Sequence, residues 1–516
     1  MAALSKTAPI GALALMAGAA QADVTAEQVW QDWQEGAARL GETRIETGAE
    51  QRSGDRLTIT DLVLTMQGED GELVARLPEI VFAETGDGAV EVTLSDSYPI
   101  EISGTDEDGV QTEIELSMQQ TGLEVTVSGD PGAMRYDYAA DRYALVLDRL
   151  VEDGETIPAE AMLALNAVRG SYLSETAASG LRRTDYDITA ETLDLMIEGE
   201  DSAGDAGGDT GGSMAIDASV AEIAISGALA LPEGMEEAEA LPDDFSLVFD
   251  YATGPALVEF EGEGEDGRAA GTARTASSTV GLSLDPARVS YASSTKGLDL
   301  TLTDGPMPFP VEISAAEYGF GLDAPLAAGE AAQDLSARIT LDSLTLGDPV
   351  WALFDPAEVL PRTPATLIAE LSGTARLPQD LTDPGTAEAM GEAVGDGEGA
   401  AMAEAAPEIE SLTLDRLVLR LAGAELLGDG GFTFDNSDFE TFPGFPRPEG
   451  RIDLKIDGLN GLIENLSTLG VIPAEQLMGA RMMLGLFTTS IGNDELTSTI
   501  EINPEGHVIA NGQRIQ

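Results

Sequence analysis

The chain has 516 residues and is strongly acidic, because 93 aspartates and glutamates stand against 26 lysines and arginines and leave a formal charge of −67. This charge excludes nucleic acid as a partner, and the absence of cysteine excludes both disulfides and a lipidated cysteine anchor. Since 43% of the residues are hydrophobic, we expect the chain to fold, around a core of Leu, Ile, Val, Ala and Met.

The first 22 residues have the features of a signal peptide. Lys6 precedes an apolar stretch, residues 8–20, and the small residues Ala20 and Ala22 stand at the positions that a signal peptidase recognises. The stretch is shorter than the roughly 20 residues that a membrane-spanning helix needs, and no later stretch is long and uncharged enough to be a transmembrane anchor. We therefore expect export, cleavage after Ala22 and a periplasmic protein.

A helix is predicted at the start of the mature chain. Thr25 and Gln28 form a capping-box pair, and Gly41 is expected to end the helix. Its apolar face consists of Ala26, Val29, Trp30, Trp33, Ala37 and Leu40. The two tryptophans on this face need a surface against which they can be buried.

Strand-like alternation follows this helix. Within residues 57–66 we expect two faces of one strand, the first formed by Leu57, Ile59, Asp61, Val63 and Thr65 and the second by Thr58, Thr60, Leu62, Leu64 and Met66. Further short runs occur at 80–82, 90–94, 114–118 and 123–127, separated by glycine and Asp-Gly turns. Short connections predict a mainly β (α+β) fold, in which a long curved antiparallel sheet or sheets are packed by a few helices.

A Leu-Asp-x-Leu pattern recurs at residues 147–150, 341–344 and 414–417, with a related Asp61-Leu62 step. Each copy lies in a strand-like run. A weak internal repeat and a chance similarity between leucine-rich strands explain the pattern equally well.

Two acidic low-complexity stretches, 198–213 and 383–408, are predicted to be surface loops or linkers. They separate three β-rich segments of the mature chain, 23–197, 214–382 and 409–516. Loops inserted into one long sheet would give the same pattern, so the segments need not be separate domains.

Three further helices are predicted. Asp348 and Pro349 begin a short one that contains Trp351 and Phe354 and that Pro356 ends. Residues 459–469 and 473–488 form a C-terminal pair. The second of these is apolar on nearly all sides, since it carries Leu477, Met478, Ala480, Met482, Met483, Leu484, Leu486 and Phe487. We expect it to be buried rather than to contact a membrane or ligand, and Arg481 then needs an acidic partner or a route to solvent.

Histidine and cysteine, which many catalytic and zinc sites use, are nearly absent, whereas carboxylates are abundant. His507 is the only histidine, it lies in a turn-like segment near the C-terminus, and no Gly-x-Ser-x-Gly motif accompanies it. We expect His507 at the surface. We also expect no catalytic residue, no metal site and no cofactor, and no ligand-binding residue can be named.

Two motifs look like ligand loops but favour hairpin turns. Gly262, Gly264 and Gly267 match the spacing of a dinucleotide-binding loop, yet acidic residues between them would repel a pyrophosphate. Residues 105–109 resemble the start of a calcium loop without its alternating oxygen ligands or closing glutamate. Weak association of divalent cations through charge density alone remains an alternative.

Several segments resemble one family of exported proteins. These are residues 20–30, the Val350-to-Pro356 stretch with Leu360-Pro361-Arg362, Phe432 to Asn436, Gly479 to Met483 and Ala510 to Arg514. Together they are similar to the family called domain of unknown function 2125, from Gram-negative bacteria. The resemblance implies a β-rich envelope protein and assigns no chemistry to any residue. At the level of the fold alone, such long strand-rich exported chains are more distantly similar to AsmA-like proteins. The curved sheets of those proteins are associated with lipid handling and outer-membrane assembly.

Two functions are compatible with the sequence. The first is a non-catalytic periplasmic protein whose curved sheet, backed by the Trp30/Trp33 helix and the Met-rich C-terminal helix, offers an apolar groove to a lipid or an envelope partner. The second is a carboxylate-based hydrolase or a divalent-cation binder, which requires acidic residues that converge in a cleft.

Overall fold

The computed structural model describes residues 23–516 except 39–42, 69–70, 107–108, 178, 201–211, 233–240, 265–266, 305–306, 308, 384 and 387–406. The predicted signal peptide, Leu40, Gly41 and most of both acidic stretches lie outside the described residues.

Strands dominate the described part of the chain, where 28 of them form one antiparallel sheet. The strands are β1 (Thr43–Glu46), β2 (Ala49–Ser53), β3 (Arg56–Gln67), β4 (Gly71–Glu84), β5 (Val90–Leu94), β6 (Ser97–Thr105), β7 (Gln111–Thr121), β8 (Glu124–Asp130), β9 (Ala133–Glu152), β10 (Glu155–Ile157), β11 (Ala159–Thr176), β12 (Arg182–Glu200), β13 (Ser213–Leu231), β14 (Ser246–Thr253), β15 (Ala256–Gly264), β16 (Gly267–Thr275), β17 (Ser277–Leu284), β18 (Arg288–Thr303), β19 (Val311–Pro325), β20 (Gln333–Leu346), β21 (Ala365–Arg376), β22 (Glu408–Leu421), β23 (Ala424–Asp435), β24 (Arg447–Asp457), β25 (Thr489–Ser490), β26 (Glu495–Ile502), β27 (Val508–Ala510) and β28 (Gln513–Arg514). The mainly β, antiparallel prediction is confirmed.

Neighbouring strands mostly follow chain order, and two departures from this order have the same topology. The long strand β4 pairs with the short strands β5 and β6; these pair with β8 and β7, which both pair with β9. In the same way β13 pairs with β14 and β15, these pair with β17 and β16, and both of the latter pair with β18. In each group, two pairs of shorter strands lie side by side between the same two long strands.

The sheet is continuous across both predicted acidic loops. Strands β12 and β13 pair along their whole lengths on either side of residues 201–211, and β21 pairs with β22 on either side of residues 387–406. Both stretches therefore connect neighbouring strands of one sheet.

A crease crosses the long strands and divides the sheet into two halves. We define this crease by five residues that have a positive φ inside long strands. These residues are Asp61 (51°), Ala167 (50°), Glu222 (54°), Gly297 (65°) and Ser343 (55°). At each of them the usual alternation of side chains is interrupted, because the left-handed backbone conformation does not continue a pleated strand. Apolar residues three positions apart then lie on the same face.

The packing of side chains around the crease shows that residues three positions apart lie on the same face of the sheet. Leu165 and Val168 of β11 line one cavity together, although three residues separate them. Leu77 and Ile80 of β4 line another. In a regular strand, such pairs would point to opposite faces. The two-face interpretation of residues 57–66 is therefore wrong, since Ile59 and Leu62 both belong to the buried core on the two sides of Asp61.

The Leu-Asp-x-Leu pattern marks irregular strand pairing in all three copies. The pairing of β20 with β21 shifts between Leu341 and Leu344, and that of β22 with β23 shifts between Leu414 and Leu417. In the first copy, Leu147 pairs with Leu116 while Arg149 pairs with Glu115, so that one extra residue is accommodated. A β-bulge of this kind places both leucines of the pattern on one face.

The strain at the crease gives a testable prediction. Glu222 is exposed and has a positive φ, which costs a non-glycine residue about 1–2 kcal/mol. We expect Glu222→Gly to raise the free energy of unfolding by about 1 kcal/mol, as measured by urea denaturation. Glu191→Gly is the matched control, because Glu191 is also exposed at the crease but is not among the positive-φ residues; it should lower stability by about 0.5–1 kcal/mol. Equal losses for both variants would contradict this view of the crease.

Four helices complete the described part of the fold: α1 (Ala26–Ala38), α2 (Asp348–Phe354), α3 (Leu459–Thr468) and α4 (Ala474–Phe487). The ends of α2, α3 and α4 and the start of α1 agree with the predicted helices to within one or two residues, and the predicted end of the first helix lies outside the described residues. The predicted capping box is present, since Thr25 N–H donates to Gln28 Oε1 at 2.9 Å and Gln28 N–H donates to Thr25 Oγ1 at 3.3 Å. None of the helices in the described ranges is long and apolar enough to cross a membrane.

Helix α1 packs on the apolar face of the sheet near its N-terminal end. The rings of Trp30 and Trp33 lie 6.0 Å and 5.3 Å from the ring of Phe82 on β4. Glu84, on the same strand, accepts a hydrogen bond from the first helical N–H, that of Ala26, at 3.0 Å. The bond from Arg52 holds the pKa of Glu84 below its ordinary value, and the negative charge suits a helix N-terminus.

The opposite face of the sheet is polar. Ion pairs lie along it, for example Arg183 with Asp185 at 2.8 Å and Arg451 with Asp453 at 2.6 Å. The predicted arrangement, in which the helices back the sheet and the groove lies on the other face, is therefore wrong. The helices and the apolar surface share one face, and the helices cover that surface only near its ends.

The prediction that the C-terminal helix is buried is also wrong. The side chains of Met478, Met482 and Met483 in α4 are 80%, 73% and 55% exposed. Arg481 is half-exposed, and its guanidinium lies 3.9 Å from Glu464 of α3, so it has both an acidic partner and a route to solvent. The sheet forms a single layer, and α4 can therefore pack only one of its sides against it.

Candidate functional site

An apolar groove along the crease is the candidate site. Its floor includes a row of directly paired residues that crosses thirteen strands, from β11 to β26, without one charged side chain. The row consists of Tyr172, Tyr186, Gly227, Phe249, Leu282, Tyr291, Leu322, Ala337, Leu371, Leu414, Gly430, Ile452 and Ile500. Twelve spacings of about 4.8 Å give the row a length of roughly 58 Å.

The central part of this face is open to solvent. Six large apolar side chains on β19, β20 and β22 are each between 39% and 51% exposed: Tyr318, Phe320, Leu322, Ile339, Leu419 and Leu421. Single exposed apolar residues are common, but a continuous exposed patch marks a binding surface.

Two cavities border α1 at the N-terminal end of the groove. One, of about 550 Å³, is bounded by Trp33 together with Leu64 and Leu77 from one side of the crease and Ile80 from the other. The second, of about 430 Å³, also contacts Trp33 and is bounded by Leu165 and Val168 on the two sides of the crease. Because both halves of the sheet line the same cavities, the sheet bends towards its apolar face at the crease.

The buried Tyr136 and other, half-buried tyrosines line these two cavities. Tyr136 stacks on Tyr172 with ring centroids 4.3 Å apart, and its hydroxyl donates to Asp32 Oδ2 of α1 at 2.6 Å. The hydroxyls of Tyr98 and Tyr143 lie 3.2 Å apart. Burial raises the pKa of Tyr98, Tyr136 and Tyr172 far above the ordinary value, so the phenols stay neutral and suit an apolar ligand.

A third cavity, of about 370 Å³, lies beside α2 and α3, towards the C-terminal end of the groove. Its walls are mainly the apolar side chains of Leu344, Leu346, Trp351, Phe354, Leu360, Leu421, Leu462, Leu466, Leu469 and Val471. Helices α2 and α3 supply part of this wall. Asp355, which is fully buried, holds the loop after α2 by accepting hydrogen bonds from the N–H groups of Val359 and Leu360, both at 2.8 Å.

Arg362 is the single charged residue on the wall of this third cavity. Its guanidinium lies 2.6 Å from Asp348 and 3.8 Å from Glu358, and its carbon Cζ lies 5.9 Å from the centroid of the Trp351 ring. Two carboxylates therefore compensate its positive charge, so the cavity offers little attraction to an anion.

The described residues of the two motifs that look like ligand loops lie at the ends of paired antiparallel strands. Gly264 of β15 pairs with Gly267 of β16, as expected for a hairpin. Thr105 ends β6, and next to it Asp106 accepts a hydrogen bond from the N–H of Val110 at 2.9 Å, just before β7; residues 107–108 lie outside the described residues. His507 lies half-buried in the turn between β26 and β27, where its N–H donates to Asn503 Oδ1 at 2.9 Å. These residues are not brought together in one site.

Acidic residues do meet on the polar side. Glu198, Asp217, Glu259 and Glu261 border a shallow hollow of about 550 Å³. Within the ranges that the structure describes, no group of three or more His, Cys, Asp or Glu side chains is arranged to hold a metal ion.

Comparison with known proteins does not assign the chain to a family. It matches no model of a known protein family and no curated protein. The resemblance to the domain of unknown function 2125 family therefore stays a prediction.

Proposed function

We propose that this protein is a non-catalytic periplasmic protein that binds the acyl chains of lipids in its apolar groove. The observation that carries the proposal is the row of thirteen uncharged floor residues on an open sheet face. Natural sheets seldom leave so much apolar surface uncovered unless a ligand or partner covers it.

An acyl chain suits this surface better than an extended peptide does. In the interior of the sheet the backbone N–H and C=O groups are already used in strand pairing, so the floor offers side chains but few free hydrogen-bonding groups. A peptide that lies flat on it would lose hydrogen bonds to water without replacing them. An acyl chain has no such groups to satisfy.

The length of the groove predicts more than one acyl chain. A lipid tail spans about half of the roughly 30 Å hydrocarbon core of a bilayer. A row of roughly 58 Å would then accommodate about three or four tails placed end to end.

Native mass spectrometry tests the proposal directly. The full chain would be produced with its N-terminal segment in a Gram-negative host, purified from the periplasm and analysed before and after organic extraction. We expect lipid adducts at a defined ratio, with several acyl chains per protein, and a polypeptide mass that corresponds to cleavage after Ala22. A lipid-free mass that stays unchanged after incubation with lipids would overturn the proposal. A mass shift by calcium alone would favour cation binding, and a co-purified protein in place of lipid would favour an envelope partner.

A further inference from the structure

Helix α4 exposes an apolar stripe that nothing else in the described chain covers. Met478, Met482 and Leu486 are spaced four residues apart, so they lie on one side of the helix, and they are 80%, 73% and 48% exposed. The other side of α4, which includes the half-buried Leu477 and Leu484, faces the body of the protein. Burial in the fold therefore does not explain the outer stripe.

This stripe is connected to the groove through the segment that precedes α4. Val471, between α3 and α4, is 66% exposed and also lines the third cavity. Phe354 and Leu421 likewise line this cavity while about half of each side chain is exposed. The apolar surface is thus continuous from the inside of the groove to its C-terminal mouth and on to α4.

The charge of the protein indicates what can cover this surface. A second copy would bring another formal charge of −67 close to the first, and an anionic membrane would be repelled for the same reason. Helix α4 itself carries one acidic and one basic residue, Glu475 and Arg481, and it has no cluster of lysines or arginines. Among membrane surfaces, this charge permits a zwitterionic phospholipid surface, which is also a source of the acyl chains proposed for the groove.

We propose that the exposed stripe of α4 docks on a zwitterionic phospholipid bilayer, with the C-terminal mouth of the groove at the membrane. Met478, Met482 and Leu486 enter the boundary between headgroups and acyl chains, where flexible methionine side chains adapt to irregular packing. Arg481 extends towards the headgroups. This inference rests on the proposed function, because it supplies the place where acyl chains pass between the bilayer and the groove.

Vesicle flotation of the full-length mature protein provides the test. We expect the wild type to float with phosphatidylcholine vesicles, and binding to fall when phosphatidylglycerol is added at low salt and to recover at high salt. The variant with Met478→Ser, Met482→Ser and Leu486→Ser should bind phosphatidylcholine vesicles more weakly by roughly ten-fold or more.

The control variant carries Met214→Ser, Phe439→Ser and Phe445→Ser, at apolar residues that are 51%, 49% and 73% exposed on other elements. It should bind vesicles like the wild type, and circular dichroism would verify that both variants are folded. Equal binding by the two variants, or a wild type that fails to float, would overturn the inference.

Measuring the lipid content of the same samples separates this inference from the proposed function. A protein that carries lipid but does not bind vesicles would contradict only the docking of α4. A protein that binds vesicles through α4 but purifies without lipid and takes none up would contradict only the groove.

Discussion

Replacement of Phe82 by alanine is expected to lower the free energy of unfolding by about 3–5 kcal/mol, as for other fully buried phenylalanines. The Phe82 side chain has no exposed surface, and its ring lies beneath both Trp30 and Trp33 of α1. Its removal leaves a cavity where α1 meets the sheet. Urea denaturation would measure the loss, and a red shift of tryptophan emission in the folded variant would show that α1 has loosened.

Phe445→Ala is the control for this prediction. Phe445 is 73% exposed, so its replacement should change the free energy of unfolding by no more than about 0.5 kcal/mol. If Phe82→Ala were equally mild and left the tryptophan emission unchanged, then α1 would not be held by the contact that the structure shows.

The helix that Phe82 supports was predictable because its signals are local. The capping pair Thr25 and Gln28 and the spacing of Trp30 and Trp33 all lie within a few residues of one another. The partner of the tryptophans was not predictable, because Phe82 is about fifty residues away and reaches α1 only through the pairing of β3 with β4.

The crease is visible in the sequence as a change in the spacing of apolar residues, which a strictly alternating strand pattern does not detect. Apolar residues change from a spacing of two to a spacing of three at Ile59 and Leu62, at Leu165 and Val168, and again at Leu341 and Leu344. A pattern with period two assigns the residues beyond each break to the wrong face. The Leu-Asp-x-Leu pattern has the same physical basis, since it keeps two leucines on one face across irregular pairing.

The wrong prediction for α4 has a different cause. Apolar residues on nearly all sides of a helix predict burial only if the fold provides protein around it. Here one sheet forms the fold, and that sheet and α3 contact α4 from one side. A sequence shows how apolar a helix is, but it does not show how many layers surround it.

The residues of the groove could not be named from the sequence, because the groove depends on long-range pairing. Tyr172 and Ile500 belong to one row, yet their relation depends on twelve successive strand pairs and on the irregularities within them. An error of one residue in any pair would move all later members to the polar face.

Placing a carboxylate in the middle of the groove should abolish most lipid binding. Ile339 lies on β20 between Phe320 and Ala369 and is 48% exposed, so Ile339→Asp should disturb folding little. A bound acyl chain would remove this charge from water, and the cost of burying an unpaired carboxylate is several kcal/mol. We expect the lipid-to-protein ratio in native mass spectra to fall by roughly ten-fold or more.

Val248→Asp provides the matched control for that charge. Val248 is also β-branched and 37% exposed, but it lies on the polar face of β14, where its paired neighbours are Ala228 and Ser283. The control should retain the lipid content of the wild type, because its new carboxylate stays in water. Equal lipid content in the two variants would show that the bound lipid does not lie on the apolar face. A selective loss in Ile339→Asp would locate the acyl chains along the floor of the groove.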